Sequence, residues 1–244
     1  KFAGMMNDLA ASYGMKDSHF MNASGLPDPN HYSTPHDLAL LAYHLYREYP
    51  EEHKYYAMRD YTWNNITQQN RNPLLGKVVG ADGRKTGHTE EAGYGLIGSA
   101  LRDGRRVIEV LSGMTSAKER EAEGIRMMEW ALNSFKLARL VNKGVPLLDA
   151  PVVYGTATRV KLAAGADAVS TVPATMRMTD ITMKARYMSP LVAPVKAGQQ
   201  VGTLLVGASN VPAQQYPLIA LEDVPQKGFF GLTLDKIIQA AKNK

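Results

Sequence analysis

Two apolar runs joined by a tight turn constrain the fold of this chain more than any other stretch. The runs cover residues 94–101 and 105–111, and the turn between them contains Asp103-Gly104. An Asp-Gly turn flanked by apolar runs is a strong signal for a β-hairpin. Because another strand is predicted around Lys85, just before the hairpin, the sequence predicts three antiparallel strands with the Lys85 strand at one edge.

Helices are predicted both before and after these strands in the sequence. Apolar residues recur at helical spacing over residues 1–14, which predicts an amphipathic helix. A second helix is predicted to begin with Thr34 as its N-cap and Pro35 in its first position. Ser116 is the predicted N-cap of a third helix, whose apolar face consists of Ile125, Met128, Ala131 and Phe135. Residues 64–72 are predicted to form a polar loop.

The character of the sequence changes after about residue 137. The following segment is rich in Val, Thr, Ala, Gly and Pro and holds short apolar runs without helical periodicity. We therefore expect residues 138–227 to form a small all-β domain, a sandwich or barrel that serves as a spacer or docking module. Helical periodicity returns over residues 228–244 with a basic character. Such a segment either lies in a membrane interface or packs on the β domain.

Composition excludes several classes of function. The chain has no cysteine, so disulfides, zinc thiolate sites and thiol catalysis are excluded. The net charge of +5 is modest, and no basic run is typical of nucleic-acid binding. No apolar stretch has the length needed to span a membrane. The spacing of the histidines predicts no metal site, and no cofactor is expected.

A cation, a hydroxyl group and a glycine follow one another at Lys85-Thr86-Gly87. On an edge strand, Lys85 places an ammonium group beside a reacting centre, and the Thr86 hydroxyl can bind a carboxylate. Gly87 has no Cβ, so an extended substrate can lie against the backbone. Lys-Thr-Gly is one of the motifs of serine β-lactamases and penicillin-binding proteins. Three residues alone also fit the solvated start of an ordinary strand.

Further motifs flank Lys-Thr-Gly in a defined order. They are Asn22-Ala23-Ser24-Gly25-Leu26-Pro27, Tyr32-Ser33-Thr34, Asn70-Arg71-Asn72, Asp82-Gly83, His88-Thr89, Ala92-Gly93-Tyr94 and Gly228-Phe229-Phe230-Gly231. In this order and spacing the chain resembles the low-molecular-mass penicillin-binding proteins, the serine D-alanyl-D-alanine carboxypeptidases of bacterial cell-wall maturation. The resemblance covers essentially all 244 residues.

The resemblance implies an α+β fold and a set of site residues. Residues 1–137 would form the C-terminal part of a penicillin-binding, β-lactamase-like transpeptidase domain. Lys85 and His88 would be catalytic, with the Lys85 charge favouring the anionic transition state and the backbone N–H of His88 acting as an oxyanion donor. Arg71 and Thr86 would bind the terminal carboxylate of the substrate, and Gly87 would complete the binding strand. The alternative for Arg71 is a structural salt bridge.

The implied activity is removal of the terminal D-alanine from peptidoglycan pentapeptide stems through an acyl-enzyme. The implied partners are the stem peptide, β-lactam antibiotics and, through the C-terminal helix, the periplasmic surface of the bacterial inner membrane. Two alternatives stay open. One is a serine β-lactamase relative, and the other is a non-catalytic protein that binds peptidoglycan or a membrane.

One departure from the family pattern affects catalysis. The family also carries Ser-x-x-Lys, which supplies the nucleophile and its base, and Ser-x-Asn. Neither pattern follows any serine of the 244 residues, and in Ser116-Ala117-Lys118 the lysine is at the wrong offset. The chain therefore resembles the later part of such an enzyme, and we expect it to be inactive on its own.

Overall fold

Residues 1–208 and 211–233 are described by the computed structural model. The chain divides into two compact units, the first covering Lys1–Phe135 and the second beginning at Lys136. Each unit has a separate hydrophobic core.

The first unit combines four helices with five strands. The helices are α1 (Phe2–Ser12), α2 (Pro35–Glu48), α3 (His53–Ala57) and α4 (Ala117–Ser134). The strands are β1 (Asp60–Trp63), β2 (Ile66–Gln69), β3 (Ala81–Thr89), β4 (Gly93–Arg102) and β5 (Arg105–Met114).

A three-stranded antiparallel sheet in the order β3-β4-β5 confirms the predicted hairpin. Asp103 and Gly104 both have positive φ, 51° and 73°, as a two-residue turn between strands of right-handed twist requires. Strand β3, which carries Lys85, lies at one edge of the described sheet, as the sequence predicts.

The predicted caps of α2 and α4 are confirmed. The Thr34 hydroxyl accepts a hydrogen bond from the backbone N–H of Asp37 at 3.2 Å. The Ser116 hydroxyl accepts one from the N–H of Glu119 at 3.1 Å. Helix α1 ends at Ser12 and is therefore shorter than predicted. Its apolar residues Phe2, Met5 and Leu9 are exposed, and Ala10 is its one buried residue.

The predicted polar loop over residues 64–72 is wrong, since it contains strand β2. Asn64 and Asn65 have φ of 48° and 59°, and asparagine tolerates this left-handed conformation better than most residues. They form a two-residue turn that pairs β1 with β2, with Trp63 opposite Ile66. The polar composition of β2 led to the prediction of a loop, whereas the Asn-Asn turn allows this segment to pair with β1 as a hairpin.

Two glycines leave space for the side chains that pack between helix α4 and the sheet. A Cβ at Gly98 of β4 would lie 2.6 Å from Leu74 Cδ1 and 2.8 Å from Glu109 Oε1. A Cβ at Gly124 of α4 would lie 2.7 Å from Leu96 Cδ2. The carboxyl group of Glu109 is thus enclosed by apolar side chains, and neither of its oxygens has a hydrogen-bond partner among the described residues.

The second unit is a β structure. Its strands are β6 (Phe135–Val141), β7 (Pro146–Val153), β8 (Arg159–Ala164), β9 (Ala168–Pro173), β10 (Ile181–Tyr187), β11 (Leu191–Val192), β12 (Gln200–Ala208) and β13 (Val211–Ala220). Six of them form a sheet in the order β10-β12-β13-β8-β7-β11, and β6 pairs with β9. A single 3₁₀ turn (Met178–Asp180) is the one helical element between Lys136 and Val224 that the described part shows.

Residues 229–233 are helical, and Phe229 and Phe230 are 79% and 89% exposed. The rest of the predicted C-terminal helix, residues 234–244, lies outside the described residues. Among the described residues, no helix combines the length and the apolar character that crossing a bilayer requires.

The enclosed Glu109 predicts a pH-dependent stability. Burial raises the pKa of Glu109 to about 8, above the value near 4.3 in an unfolded chain. Between these values the folded state binds the extra proton, so the free energy of unfolding falls as pH rises, by about 1.4 kcal/mol per pH unit. We expect the melting temperature to fall by roughly 4 °C per pH unit between pH 5 and 8.

The isosteric variant Glu109→Gln, which cannot ionise, is the matched control for this thermal denaturation series. It should lack the part of the slope that Glu109 causes. Identical slopes in both proteins would show that the Glu109 carboxyl is already ionised in the fold.

Candidate active site

A cleft of about 710 Å³ lies along the edge strand β3. All five residues that the sequence singles out line it, namely Arg71, Lys85, Thr86, Gly87 and His88. Lys85, Gly87 and His88 are exposed, whereas the Thr86 side chain is largely buried. The structure therefore brings together residues that are up to 17 positions apart in the sequence.

Two asparagines fix the segment that carries Arg71. The Asn70 amide donates hydrogen bonds to the carbonyl oxygens of Tyr56, at 3.1 Å, and Met58, at 2.8 Å. Its Oδ1 accepts from the N–H of Asn72 at 2.9 Å, and Asn72 Oδ1 accepts from the N–H of Leu74 at 3.0 Å. The backbone on both sides of Arg71 is thus held in place, while the Arg71 side chain stays exposed in the cleft.

The start of the motif strand is fixed by Asp82. Its carboxylate contacts Arg106 of β5 at 2.7 Å and His53 of α3 at 3.0 Å. Burial acts to raise the pKa of Asp82, but hydrogen bonds from Arg106 and His53 outweigh it and hold this pKa below its usual value. The carboxylate therefore stays charged and anchors β3 to β5 and to α3.

The backbone between Asp82 and Lys85 is irregular. Gly83 has φ of 120°, and a Cβ there would lie 2.5 Å from the carbonyl oxygen of Tyr56. Arg84 also has a positive φ, 110°, which strains a residue with a side chain. Burial lowers the pKa of Arg84, and its guanidinium lies 5.4 Å from the centre of the Tyr56 ring. The irregularity directly precedes Lys85, whose Nζ donates to the carbonyl oxygen of Thr86.

The structure adds residues to the cleft that the sequence reading missed. The His88 ring stacks on Tyr94 with 3.9 Å between centroids, and the Arg120 guanidinium lies 5.4 Å from the centre of the same Tyr94 ring. Arg120 belongs to α4 and lines the cleft with Ser24 and Ser112. Its position four residues after the Ser116 cap predicts a place in the first turn of α4 but not a place in the cleft.

The cleft is suited to an anionic group. Arg71, Lys85 and Arg120 contribute three cations, and no Asp or Glu is among the described residues that line it. A nucleophile with a base is not formed, because the Ser24 hydroxyl donates to Asn22 Oδ1 at 3.1 Å and contacts no lysine or histidine in the described part of the chain. Nor do the described residues hold a group of three His, Asp or Glu side chains arranged for a metal ion.

Two family models match the chain. A model of D-alanyl-D-alanine carboxypeptidases matches residues 1–116. A model of the C-terminal domain of penicillin-binding protein 5 matches residues 135–226. The D-alanyl-D-alanine carboxypeptidase DacA of Escherichia coli strain K12 is 35% identical over 240 residues, which cover 97% of this chain and 59% of that protein. The chain thus spans about three fifths of the length of this curated relative.

Solved structures of penicillin-binding proteins are similar to this fold. Penicillin-binding protein 5 from Haemophilus influenzae matches with a TM-score of 0.75 and 33% identity, over 92% of this chain and 66% of that one. Penicillin-binding protein D2 from Listeria monocytogenes, in its cefotaxime-bound form, matches with a TM-score of 0.50 and 36% identity, over 52% and 53% of the two chains.

Gly87 offers a test of the cleft that separates fold from binding. A Cβ at Gly87 would meet no heavy atom within 4 Å, so Gly87→Ala should change the melting temperature by no more than about 2 °C, since alanine costs a strand no more than glycine does. The added methyl group would project into the cleft and keep an extended ligand from the backbone. We expect labelling of the full-length protein by a fluorescent penicillin to slow by roughly tenfold or more.

The control for Gly87→Ala is a glycine outside the cleft that can accept a methyl group without strain. Gly113 does not meet this condition, because its φ is positive and an alanine there would be strained. Gly4→Ala, also free of contacts within 4 Å and outside the cleft, serves instead. Unchanged labelling of Gly87→Ala would mean that ligands do not approach this backbone.

Proposed function

The chain belongs to the D-alanyl-D-alanine carboxypeptidase family of penicillin-binding proteins, and on this premise we propose that it forms the substrate-binding wall of a serine carboxypeptidase. The reaction is removal of the terminal D-alanine from peptidoglycan pentapeptide stems through an acyl-enzyme. The observation that carries the proposal is the cleft in which the Lys-Thr-Gly strand, Arg71 and Arg120 meet without an acidic residue among the described lining.

Lys85 acts on the charge that develops during acyl transfer. Attack of a serine on the peptide carbonyl produces an oxyanion, and a fixed ammonium group stabilises that anion more than the neutral carbonyl. The backbone N–H of His88 is the proposed oxyanion donor, while the His88 ring, stacked on Tyr94, has a structural role. The family's Ser-x-x-Lys motif does not occur in the 244 residues. These residues therefore hold the proposed binding groups but not the serine nucleophile.

The carboxylate-binding groups of the cleft recognise the leaving D-alanine. The Thr86 hydroxyl is placed on the motif strand, and the planar guanidinium of Arg71 matches a carboxylate. Arg120, beside Tyr94 on the α4 side, adds a second guanidinium to the same cleft. A free C-terminal carboxylate is what distinguishes the substrate of a carboxypeptidase from that of an endopeptidase.

The remaining assignments concern ligands and location. The cefotaxime-bound form of the Listeria protein supports β-lactams as ligands, and the proposed acyl-enzyme mechanism implies that they react covalently at this site. We place the protein at the periplasmic face of the bacterial inner membrane. The exposed Phe229 and Phe230 support membrane contact through residues 228–244. Residues 1–137 would carry the cleft, and the all-β domain over residues 138–227 would be a spacer or docking module.

The role of Lys85 is tested by Lys85→Ala in the full-length protein. We expect acylation by a fluorescent penicillin to slow by roughly 10²-fold or more, the usual effect of removing an oxyanion-stabilising group. The melting temperature should hardly change, because Lys85 is exposed. Lys118→Ala, an exposed lysine outside the cleft lining, is the control. Parallel loss of stability and activity in Lys85→Ala would assign Lys85 a structural role.

The role of Arg71 is tested by comparing an acid with an amide. A hydrogen bond between a guanidinium and a carboxylate contributes about 1.5–3 kcal/mol, so Arg71→Ala should lower kcat/KM for a free-acid stem peptide by roughly one to two orders of magnitude. Turnover of the matching C-terminal amide should barely change, because it has no carboxylate to bind.

Arg120→Ala in the same assay shows whether the second guanidinium shares this task, and the exposed Arg126→Ala controls for lost surface charge. Equal losses for acid and amide in Arg71→Ala would leave Arg71 with only a structural role.

A further inference from the structure

The β1–β2 hairpin presents a row of large side chains to solvent. Side chains two residues apart on a strand share a face, so Tyr61 and Trp63 lie side by side. Their cross-strand partners Gln68 and Ile66 extend the same face. Tyr61, Trp63 and Ile66 are 58%, 73% and 61% exposed. Exposed apolar groups gathered on one small face indicate a binding surface.

The hairpin also borders a cleft of about 480 Å³ that is distinct from the candidate active site. It is lined by Tyr55 and Met58, by Asp60 and Tyr61 of β1, by Gln68 and Gln69 of β2, and by Asn70. The two tyrosine hydroxyls and the two glutamine amides make no hydrogen bond to other described residues. The cleft therefore combines aromatic faces with hydroxyl and amide groups that are free to bind a ligand, and Asp60 adds a carboxylate that can accept hydrogen bonds.

The hairpin is held in a fixed position. The Asn70 N–H donates to the carbonyl oxygen of Arg59 at 2.7 Å, and its side chain bonds to Tyr56 and Met58. The hydroxyls of Thr62 and Thr67 bond to each other across the opposite face at 2.8 Å. A ligand that binds the exposed face therefore meets preorganised side chains, which lowers the entropic cost of binding.

The two clefts meet at consecutive residues. Asn70 lines the hairpin cleft, and Arg71 lines the candidate active site. Neighbouring Cα atoms are about 3.8 Å apart. The two clefts therefore adjoin at this point of the chain.

We propose that the hairpin cleft and the face formed by Tyr61 and Trp63 bind the glycan strand to which the stem peptide is attached. This inference rests on the proposed function for its choice of ligand. The C–H face of a sugar ring packs on an aromatic ring, and its hydroxyl and acetamido groups hydrogen-bond to amides such as those of Gln68 and Gln69. No Lys or Arg is among the described residues that line the cleft, which disfavours phospholipid headgroups and other polyanions.

The test measures binding of a neutral sugar to the full-length protein without turnover. The probe is a tetramer of β-1,4-linked N-acetylglucosamine, titrated by calorimetry. Loss of either ring removes an apolar surface on which the sugar packs, so Tyr61→Ala and Trp63→Ala should each raise the Kd roughly two- to tenfold. Trp63→Phe, which keeps a ring, should retain most of the affinity. Trp130→Ala, the exposed tryptophan of α4, should leave the Kd unchanged.

A turnover assay extends the test to the substrate. The wild-type protein should show a lower KM for a glycan-linked stem than for the free stem peptide, and Tyr61→Ala should remove that difference without changing kcat on the free peptide. Because sugar binding is measured without catalysis, the calorimetric result tests the glycan site independently of the carboxypeptidase activity. Absence of sugar binding by the wild type would overturn the inference. So would an unchanged Kd in Tyr61→Ala and Trp63→Ala, or a loss in these variants of binding to phosphatidylglycerol vesicles instead.

Discussion

The geometry of the candidate site depends on the carboxylate of Asp82. It joins β3 to Arg106 of β5 and to His53 of α3, and the Arg106 guanidinium lies 3.9 Å from the centre of the Tyr46 ring of α2. Two strands and two helices are therefore tied together three residues before Lys85. A partly buried ion pair contributes little net stability, yet losing one partner is costly because the other charge is left unpaired. Its main consequence here is that the edge strand has one position relative to the helices.

The sequence predicted those parts of the fold that local physics determines. The Asp103-Gly104 turn, the Thr34 and Ser116 caps and the edge position of the Lys85 strand all follow from residues close together in the chain. The sequence predicts a strand over Tyr61-Thr62-Trp63 but not β2, because three of the four β2 residues are polar and the Asn-Asn turn before them is a weaker signal than Asn-Gly. Such a strand gains its stability from cross-strand pairs, which composition does not show.

The candidate site was predictable as far as its motif extends. The sequence alone predicts five site residues that the structure brings into one cleft, namely Arg71, Lys85, Thr86, Gly87 and His88. Arg120 was not predicted, because it is 32 residues beyond His88 on a helix, and its proximity results from the packing of α4. That packing depends on the space that Gly98 and Gly124 leave for Leu74, Leu96 and Glu109, and no pattern in the sequence reveals this arrangement.

The arrangement separates two kinds of recognition by charge. Around Lys85 the described residues supply cations and no carboxylate, which suits an anionic peptide end and a developing oxyanion. Around Tyr61 they supply aromatic faces, neutral amides and the Asp60 carboxylate but no Lys or Arg, which suits an uncharged ligand with apolar surfaces and hydroxyl groups that donate hydrogen bonds. The Asn70 side chain belongs to both regions, since it fixes the base of the hairpin and, through Asn72, the backbone that carries Arg71. A change at Asn70 would therefore disturb both surfaces, whereas changes at Arg71 or Tyr61 affect one each.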